Sequence, residues 1–449
     1  MAKKSVEAVL KMPVLPSEIK INTPENWGWA RLIQLYNFID YRGKTPNKIE
    51  TGVPLVTAKN IRMGYLDYTI ADFISREEYE QRQSRGISRR GDILFTTEAP
   101  MGNVAIADLD EYSAGQRVIT FQKRPEIEWV SDQFYFYYIM SCYFQDELQH
   151  NKTGNTVEGI KAEKLMRFPV PVPPLAEQQR IVDCIEYLFA KLDEAKEKAQ
   201  SVLDSFETRK AAILHKAFTG ELTAKWRSVH EKGLNEWTSS YLKECCQIGS
   251  GGTPSRKNPE YYEGSIPWIK TGEINWNEID DAEEKISDAA IENSSAKLYD
   301  LGAVLVAMYG MGVTRGRAAI LQVPAATNQA VCVLQPADYL LNKYLFYYFM
   351  CNYWDIREQA VGGNQLNLSG TIIGKFQISI PSLDEQTEIV RILDSLFAKE
   401  QQAKEAAEAV LEKIDLLKKS ILARAFRGEL GTNDPTEESA LELLKAVIC

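Results

Sequence analysis

At 449 residues the chain is longer than one ordinary domain and has the size expected of two to four. Its 45% hydrophobic and 25% charged residues are typical of a soluble globular protein. No apolar run approaches the roughly 18–20 residues that span a bilayer, so neither a membrane segment nor a secretory signal is expected, and the cytoplasm is the expected location. A net charge of −10 excludes a polybasic coat but leaves room for a local basic face.

In chain order, the sequence divides into six segments. An N-terminal segment (1–25) precedes a mixed α/β domain (26–155) and a helical region (156–222). A second mixed α/β domain (223–363) and a second helical region (364–430) follow, and a tail occupies 431–449. The predicted fold class is therefore α/β of the mixed α+β kind, with two globular domains separated by two long helices and a pseudo-twofold internal repeat.

The repeat is most evident in the helical regions. A shift of 208 positions aligns Glu177-Gln178 with Glu385-Gln386, and it aligns "ILHKAFTGEL" with "ILARAFRGEL" without a gap. The globular domains share a weaker pattern, in which "RGKTP" faces "SGGTPSR" and "GVPLVTAKNI" faces "SIPWIKTGEI". The aromatic runs "FYFYYIM" and "YLFYYFM" also correspond, and we expect both to be packed helices rather than stacking platforms.

Each helical region carries an apolar seam at alternating spacings of four and three residues, which predicts an antiparallel coiled coil. From Ala176 to about Phe218 neither proline nor glycine intervenes, and Gly220 and Gly428 are predicted to end the two helices. We expect Arg209 and Glu400, which interrupt the seams, to pair and fix the register. The predicted seam comprises Ile181, Ile185, Leu188, Leu192, Phe206, Ile389, Leu393, Leu396, Val410, Ile414 and Leu417. The alternative is two unrelated amphipathic helices, each packed on its own domain.

The tail "TNDPTEESALELLKAVIC" has the composition of a linker followed by a short amphipathic helix. We expect it to pack beside the first globular domain.

Catalytic motifs are missing from the sequence. There is no G-x-x-x-x-G-K-[ST] segment for a phosphate-binding loop, and the seven cysteines include no C-x-x-C pair that would suggest zinc. Three histidines lie far apart. "NPEYY" (Asn258 to Tyr262) has some likeness to the signature of amino-methyltransferases, but its second proline is missing and a turn is the better interpretation. The sequence predicts no catalytic residue and no metal site.

The pair "PLAEQQRIV…LFAKLD" and "LDEQTEIV…LFAKE", each closed by "AF-x-GEL" and the first followed by "TAKWR", resembles the specificity subunit of type I restriction–modification systems. The resemblance covers nearly the whole chain. It implies that 26–155 and 223–363 are target-recognition domains, each reading one half of a split target in double-stranded DNA. Because the domains differ, the target should be asymmetric. The two helices, roughly 55–60 Å long, would set the gap between half-sites.

The same resemblance implies a non-catalytic chain that works with partners. Two methyltransferase subunits would dock on the helices, and two restriction subunits, which translocate and cleave DNA, would join them. No cofactor is expected on this chain. S-adenosylmethionine is expected on the methyltransferase, and ATP and Mg on the restriction subunit.

Candidate DNA-binding residues lie in turns that combine glycine with basic, amide or hydroxyl side chains. In the first domain they are Arg42, Lys44, Thr45, Lys59, Asn60, Arg62, Arg82, Arg85, Arg89 and Arg90. In the second domain they are Thr253, Ser255, Arg256, Lys257, Lys270, Thr271, Tyr309, Arg315 and Arg317. Two other functions are compatible with the sequence: a structural coiled-coil adaptor that binds only proteins, and a fused or lone DNA methyltransferase.

Overall fold

The computed structural model describes residues 8–41, 45–154, 158–310, 312–362 and 366–439. The chain forms two compact units: unit 1 comprises 1–199 and 409–449, and unit 2 comprises 200–408. Each unit therefore contains one globular head together with residues from both long helices. Among the described residues, no helix is long and apolar enough to cross a membrane.

Head 1, the globular part of unit 1, is built on small sheets. Its strands are β1 (Gly28–Arg31), β2 (Tyr36–Asp40), β3 (Val53–Val56), β4 (Ile61–Arg62), β5 (Tyr65–Leu66), β6 (Phe73–Ile74), β7 (Ile93–Thr96), β8 (Val104–Ile106), β9 (Ser113–Ala114), β10 (Val118–Lys123) and β11 (Pro169–Val172). The main sheet has the order β2-β10-β7-β8, and a second has the order β6-β3-β9. The pairs β1-β11 and β4-β5 stand apart from these sheets.

The α-helices of head 1 are Leu32–Leu35, Arg76–Arg82, Asp132–Met140, Cys142–Asn151 and Ala162–Leu165, with 3-10 turns at Pro16–Glu18 and Gln83–Arg85. Helix Asp132–Met140 carries the first aromatic run, and its side chains from Phe134 to Ile139 are buried. The Ser131 hydroxyl caps this helix by accepting a hydrogen bond from the Phe134 N–H at 3.3 Å. The prediction of a packed helix is confirmed.

Head 2, the globular part of unit 2, has a matching set of strands. They are β12 (Thr238–Tyr241), β13 (Cys246–Ser250), β14 (Ile266–Ile269), β15 (Asn277–Ile279), β16 (Lys285–Ile286), β17 (Leu298–Tyr299), β18 (Val304–Ala307), β19 (Ala318–Leu321), β20 (Ala325–Thr327), β21 (Val331–Pro336) and β22 (Gln377–Ile380). The main sheet has the order β13-β21-β18-β19-β15, and the second has the order β16-β14-β20-β17. Strand β12 pairs with β22.

The α-helices of unit 2 outside the long ones are Ala224–Val229, Leu242–Cys245, Asp288–Glu292, Asn342–Cys351, Tyr353–Glu358 and Gly370–Ile373, with 3-10 turns at Leu234–Glu236, Pro259–Tyr262 and Thr271–Glu273. Helix Asn342–Cys351 buries the second aromatic run, as predicted. The turn at Pro259–Tyr262 confirms the interpretation of "NPEYY".

The two heads share one topology. Strands β2, β10, β7 and β8 correspond in order to β13, β21, β18 and β19, and the second sheets both contain a parallel pair, β3 with β9 and β14 with β20. The weak sequence repeat of the globular domains is thus a repeat of the fold.

The first long helix is interrupted. It consists of Leu175–Asp204 and Phe206–Phe218, whereas the sequence predicts a continuous helix. At the break, the Ser205 hydroxyl donates to the carbonyl four residues earlier at 2.6 Å, and Arg209 Nη2 donates to Val202 O at 3.2 Å. Such side-chain donors compete with the helical N–H groups for backbone carbonyls and bend helices.

The second long helix, Leu383–Ala425, is continuous over 43 residues. Gly220 and Gly428 follow the two helices with φ of +81° and +71°. This left-handed conformation favours glycine and confirms both predicted helix ends.

The two long helices run antiparallel in unit 2, and an ion pair joins them in unit 1. In unit 2, Arg209 Nη2 lies 2.8 Å from Glu400 Oε2, and Lys404 Nζ lies 5.2 Å from the ring centroid of Phe206, so the contacts advance on one helix as they recede on the other. In unit 1, Lys418 Nζ pairs with Asp193 at 2.6 Å. The predicted pairing of Arg209 with Glu400 is confirmed, whereas its role in fixing the register remains a prediction.

The predicted seam is wrong at two positions of the second helix. Val410 and Leu417 are 40% and 48% exposed, although Ile181, Ile185, Ile389, Leu393 and Ile414 are buried and Leu188, Leu192, Phe206 and Leu396 are half-buried. The inward positions include Lys404 and Lys418, whose ammonium groups lie over the rings of Phe206 and Phe189. Long lysine stems cover apolar surface while their charged ends stay accessible, so a seam position need not be apolar in sequence.

The repeated Glu-Gln dipeptide fastens each long helix to its head. Gln178 accepts the Ser131 N–H at 2.8 Å and donates to Trp129 O at 3.1 Å. Gln386 does the same in unit 2, with the Leu341 N–H at 2.8 Å and Tyr339 O at 2.9 Å. The motif therefore has a structural role.

The glutamates beside them are also buried and bonded. Glu385 accepts from the Thr223 hydroxyl at 2.7 Å, from Arg227 Nη1 at 2.6 Å and from the Trp237 indole at 2.9 Å. In unit 1, the tail supplies the equivalent partner, because the Thr432 hydroxyl donates to Glu177 at 2.8 Å. Burial raises the pKa of Glu177.

The tail is held against unit 1 by two further contacts. Arg180 Nη2 pairs with Glu437 at 2.8 Å, and Asn26 Nδ2 donates to Asp434 O at 3.0 Å. These contacts confirm, for the described part of the tail, that it packs beside the first head. The amphipathic helix predicted near its end lies mainly in 440–449, outside the described residues.

Candidate nucleic-acid interface

In both heads, loops meet at the carboxyl ends of the parallel strand pair. Loops 57–60 and 115–117 leave β3 and β9 in head 1, and loops 270–273 and 328–330 leave β14 and β20 in head 2. Backbone bonds join each pair of loops: Gly115 N–H to Val56 O at 2.7 Å, and Asn328 N–H to Ile269 O at 3.0 Å. The carboxyl edge of parallel strands is a common ligand-binding position in α/β sheets.

The first loop of each pair is built in the same way. Asn60 Oδ1 accepts the Thr57 N–H at 2.9 Å, and Glu273 Oε2 accepts the Lys270 N–H at 2.7 Å. The sequence equivalence of "TAKNI" and "KTGEI" is therefore also a structural equivalence.

Two more segments join these loops by matching backbone bonds. In head 1, the Thr97 N–H after β7 donates to Arg117 O at 2.9 Å, and the Ile160 N–H donates to Thr97 O at 3.0 Å. The corresponding bonds of head 2 are Met308 N–H to Ala330 O at 2.9 Å and Leu368 N–H to Met308 O at 3.0 Å.

In each head, a threonine of the glycine-rich loop joins that loop to the others by a side-chain hydrogen bond. The Thr45 hydroxyl donates to Gln116 Oε1 at 3.1 Å, and the Thr253 hydroxyl donates to Gln329 Oε1. We name these sets loop cluster 1, formed by 45–46, 57–60, 97–103, 115–117 and 158–161, and loop cluster 2, formed by 253–257, 270–273, 308–310, 312–317, 328–330 and 366–368.

A neighbouring helix braces each cluster. Gln145 Nε2 donates to Gly102 O at 3.0 Å, and the φ of +93° at Gly102 favours glycine there. In head 2, Arg357 Nη2 donates to Gly312 O at 2.6 Å, and the Tyr353 hydroxyl donates to Val313 O. Side chains on the clusters are thus presented from braced loops.

Two predicted DNA-binding residues of head 1 are interior and have structural roles. Arg82 is 4% exposed and donates to Ser113 Oγ at 2.9 Å and to Ala114 O at 2.7 Å, and burial lowers its pKa. Asn60 is 3% exposed; its Oδ1 accepts the Thr57 N–H within its own turn, and its Nδ2 donates to Asp67 O at 3.1 Å and Ile70 O at 2.7 Å. The prediction is corrected for both, because their donors and acceptors are already engaged inside the protein.

The other described candidates of head 1 are accessible. Lys59 and Arg89 are exposed, whereas Arg90 pairs with Asp110 at 2.6 Å and Arg62 with Asp67 at 3.1 Å. Arg85 is exposed and donates to Asp40 O at 3.2 Å. Of these, only Lys59 lies in loop cluster 1, together with Thr45. Arg42 and Lys44 lie outside the described residues.

Every candidate of head 2 lies in loop cluster 2. Thr253, Ser255, Lys257 and Tyr309 are exposed, and Thr271, Arg315 and Arg317 are half-buried. Acidic residues engage two basic candidates: Arg256 pairs with Glu284 at 2.6 Å, and Lys270 pairs with Glu283 at 3.1 Å. A hydrogen bond from Arg256 lowers the pKa of Glu284.

Sequence reasoning missed Gln116, Arg117 and Gln329. They lie one or two residues before a strand that begins with a buried valine, in "GQRV" and "NQAV". The available signal was the recurrence of glutamine at this position in both heads. The sequence does not show that Thr45 and Thr253 contact these glutamines, so the recurrence alone did not indicate a functional role.

A family model described as the type I restriction modification DNA specificity domain matches the chain twice, over residues 24–203 and 235–413. The chain belongs to this family. Similar family members include the EcoKI specificity subunit of Escherichia coli (strain K12), 26% identical over 91% of this chain and 90% of that one. The StySPI specificity subunit of Salmonella potsdam is 23% identical over 91% and 90% of the two chains.

A solved family structure shares the fold. The HsdS subunit from Thermoanaerobacter tengcongensis superimposes with a TM-score of 0.63 at 20% identity, covering 92% of this chain and 100% of that chain. The chain therefore shares its overall fold with an experimentally determined structure.

Proposed function

We propose that this chain is the DNA specificity subunit of a type I restriction–modification complex, in which each head reads one half of an asymmetric bipartite target. Membership of the specificity family supports the general role. The observation that carries the proposal is the repetition of one loop frame with different side chains on it.

The difference between the clusters is chemical. At the same place on the frame, loop cluster 1 exposes Arg117, which pairs with Glu98 at 3.1 Å, whereas loop cluster 2 has Ala330 and an exposed Tyr309. Arginine, tyrosine and carboxylate groups offer different donors and acceptors to base edges. Because the two heads carry different side chains on the same loop arrangement, they are suited to recognise two different half-sites.

The long helices are the proposed spacer. They would form an antiparallel coiled coil that sets the gap between half-sites and docks two methyltransferase subunits, since the repeat offers equivalent helical faces twice. The ion pairs Arg209–Glu400 and Asp193–Lys418 support antiparallel pairing. Two restriction subunits would complete the nuclease, and the complex would act in the cytoplasm.

The chemistry is proposed to lie in the partners. S-adenosylmethionine would bind the methyltransferase, and ATP and Mg would bind the restriction subunit. This chain would hold DNA while the target adenine leaves the base stack and enters the methyltransferase.

Labelled S-adenosylmethionine tests this division of roles. The purified chain, the methyltransferase alone and their complex are each incubated with genomic DNA, and transferred label and DNA binding by gel shift are measured. We expect site-specific transfer and binding only with the complex. Transfer by this chain alone would identify it as a methyltransferase, and a complex that binds no DNA would favour a protein adaptor.

A further inference from the structure

A hydrogen bond from a threonine hydroxyl to a glutamine amide oxygen recurs in both loop clusters. Thr45 and Gln116 occupy in head 1 the positions of Thr253 and Gln329 in head 2, and in each pair the hydroxyl donates to the amide oxygen. Around these pairs the neighbouring side chains differ, because head 1 has an exposed Arg117 where head 2 has a buried Ala330. A feature kept by two readers of different half-sites should contact what those half-sites have in common.

The bond to threonine engages the amide oxygen of each glutamine and leaves its amide N–H groups available to donate hydrogen bonds. The amide oxygen is engaged by the threonine hydroxyl, and within the described residues neither Nε2 atom has a protein partner. Gln116 is half-buried and Gln329 is exposed. An amide nitrogen carries two N–H donors, so each site is prepared for an acceptor oxygen from outside the chain.

The surroundings favour an anionic acceptor in head 1 most clearly. The exposed Lys59 lies in the loop that leaves β3, next to the glutamine loop that leaves β9. In head 2 the corresponding loop carries Lys270, whose ammonium group pairs with Glu283 at 3.1 Å and Glu284 at 3.3 Å. Cationic and amide donors at one edge are the usual set for a DNA phosphate, which is present at every half-site whatever its sequence.

We propose that Gln116 and Gln329 are phosphate-positioning residues, each donating its amide N–H to the DNA backbone of one half-site in an orientation set by Thr45 and Thr253. This inference rests on the proposed function and extends it. The glutamines would place the two heads on the duplex in the same way, while the side chains that differ between the clusters would read bases.

A purely structural clamp is the competing explanation. The loops are already joined by backbone bonds, such as Thr97 N–H to Arg117 O, so a surface hydroxyl–amide bond adds little to their cohesion. The two explanations differ in what they require of the glutamine. A clamp needs only the acceptor oxygen, whereas a phosphate contact needs the donor nitrogen.

The substitutions Gln116→Glu and Gln329→Glu separate these requirements, because glutamate keeps an acceptor for the threonine hydroxyl but replaces the donor with an anion. Each variant is prepared as the full chain in complex with its methyltransferase. Dissociation constants are measured for the mapped target and for targets with single base changes in either half. We expect at least about tenfold weaker binding to all of them, with an unchanged order of preference. Gln149→Glu, on an exposed position of helix Cys142–Asn151, is the control for the added charge and should bind as the parent does.

Thr45→Val provides the second comparison. The phosphate contact predicts a smaller loss than Gln116→Glu gives, because the donor nitrogen is retained. A clamp predicts the reverse order, with a lower melting midpoint for Thr45→Val. That reverse order, unchanged affinity in both glutamate variants, or a loss confined to one base position would overturn the inference. If the parent complex binds no DNA, the proposed function itself fails, and the inference with it.

Discussion

Replacing Glu385 with alanine is expected to destabilise unit 2 by about 4 kcal/mol, the cost of removing one partner from a buried ion pair. Glu385 and Arg227 have side chains only 3% and 9% exposed. The substitution would leave the Arg227 guanidinium without its counter-ion and would leave the Thr223 hydroxyl and the Trp237 indole without their acceptor. Hydrogen bonds to a charged group contribute about 1.5–3 kcal/mol each, so loss of the three bonds to the carboxylate would cost at least about this much.

For a unit of this length, 4 kcal/mol corresponds to a drop in the unfolding midpoint of roughly 8–16 °C. The assay is calorimetry of the full-length chain, in which the units can unfold separately and the transition of unit 2 is followed. The matched control is Asp384→Ala. Its side chain is 84% exposed and its nearest cation, Lys232, lies 3.9 Å away, so a change within about 0.5 kcal/mol is expected. A loss below about 1 kcal/mol for Glu385→Ala would refute the assignment of the Glu-Gln motif as a structural fastening.

Three further predictions concern stability. Burial raises the pKa of Asp92 to about 6, whereas the unfolded chain has a pKa of about 3.9 for this group. Between these pH values the folded state binds more protons than the unfolded state, so the stability of the parent falls as pH rises. Asp92→Asn should therefore become more stable than the parent over that range and keep a constant advantage at higher pH, which urea unfolding at a series of pH values measures. A double-mutant cycle on Arg209→Met and Glu400→Gln should give a coupling of about 1 kcal/mol, and no coupling would exclude their role in setting the register. Truncation after Leu430 removes the tail partners of the Glu177–Arg180 pair and should cost unit 1 about 2–3 kcal/mol, whereas unchanged unfolding of unit 1 would contradict the tail's structural role.

Helix positions were predictable because their determinants are local and periodic. The absence of proline and glycine, the apolar spacing and the glycines at 220 and 428 each act within a few residues of the structure that they specify. The pairing of Arg209 with Glu400 could also be predicted, since an antiparallel register follows from aligning two such seams. The break at Ser205 could not, because it depends on side-chain hydrogen bonds that compete with the helix only in the folded arrangement.

The seam errors have the same physical origin. Lys404 and Lys418 face inward because aromatic rings on the other helix lie beneath their ammonium groups, and a pattern of apolar residues alone selects Val410 and Leu417 instead. Residue polarity does not reveal such partners.

Individual site residues were the least predictable feature. Lys59, Thr45 and the candidates of head 2 do lie in the loop clusters, because turns rich in glycine and polar residues tend to be surface loops. Arg82 and Asn60 look the same in sequence, but their partners come from distant strands and from within a turn. Gln116 and Gln329 could not be selected from the sequence, because the threonines that bind them are 71 and 76 residues away along the chain.

The most direct test of the central claim is a methylation map of genomic DNA modified by the complex carrying Tyr309→Ala or, separately, Arg117→Ala. The account predicts that each variant relaxes the base requirement in one half of the target only, and that the two variants affect opposite halves. A variant that alters both halves, or a pair that leaves the whole target unchanged, would contradict the assignment of one reading surface to each head.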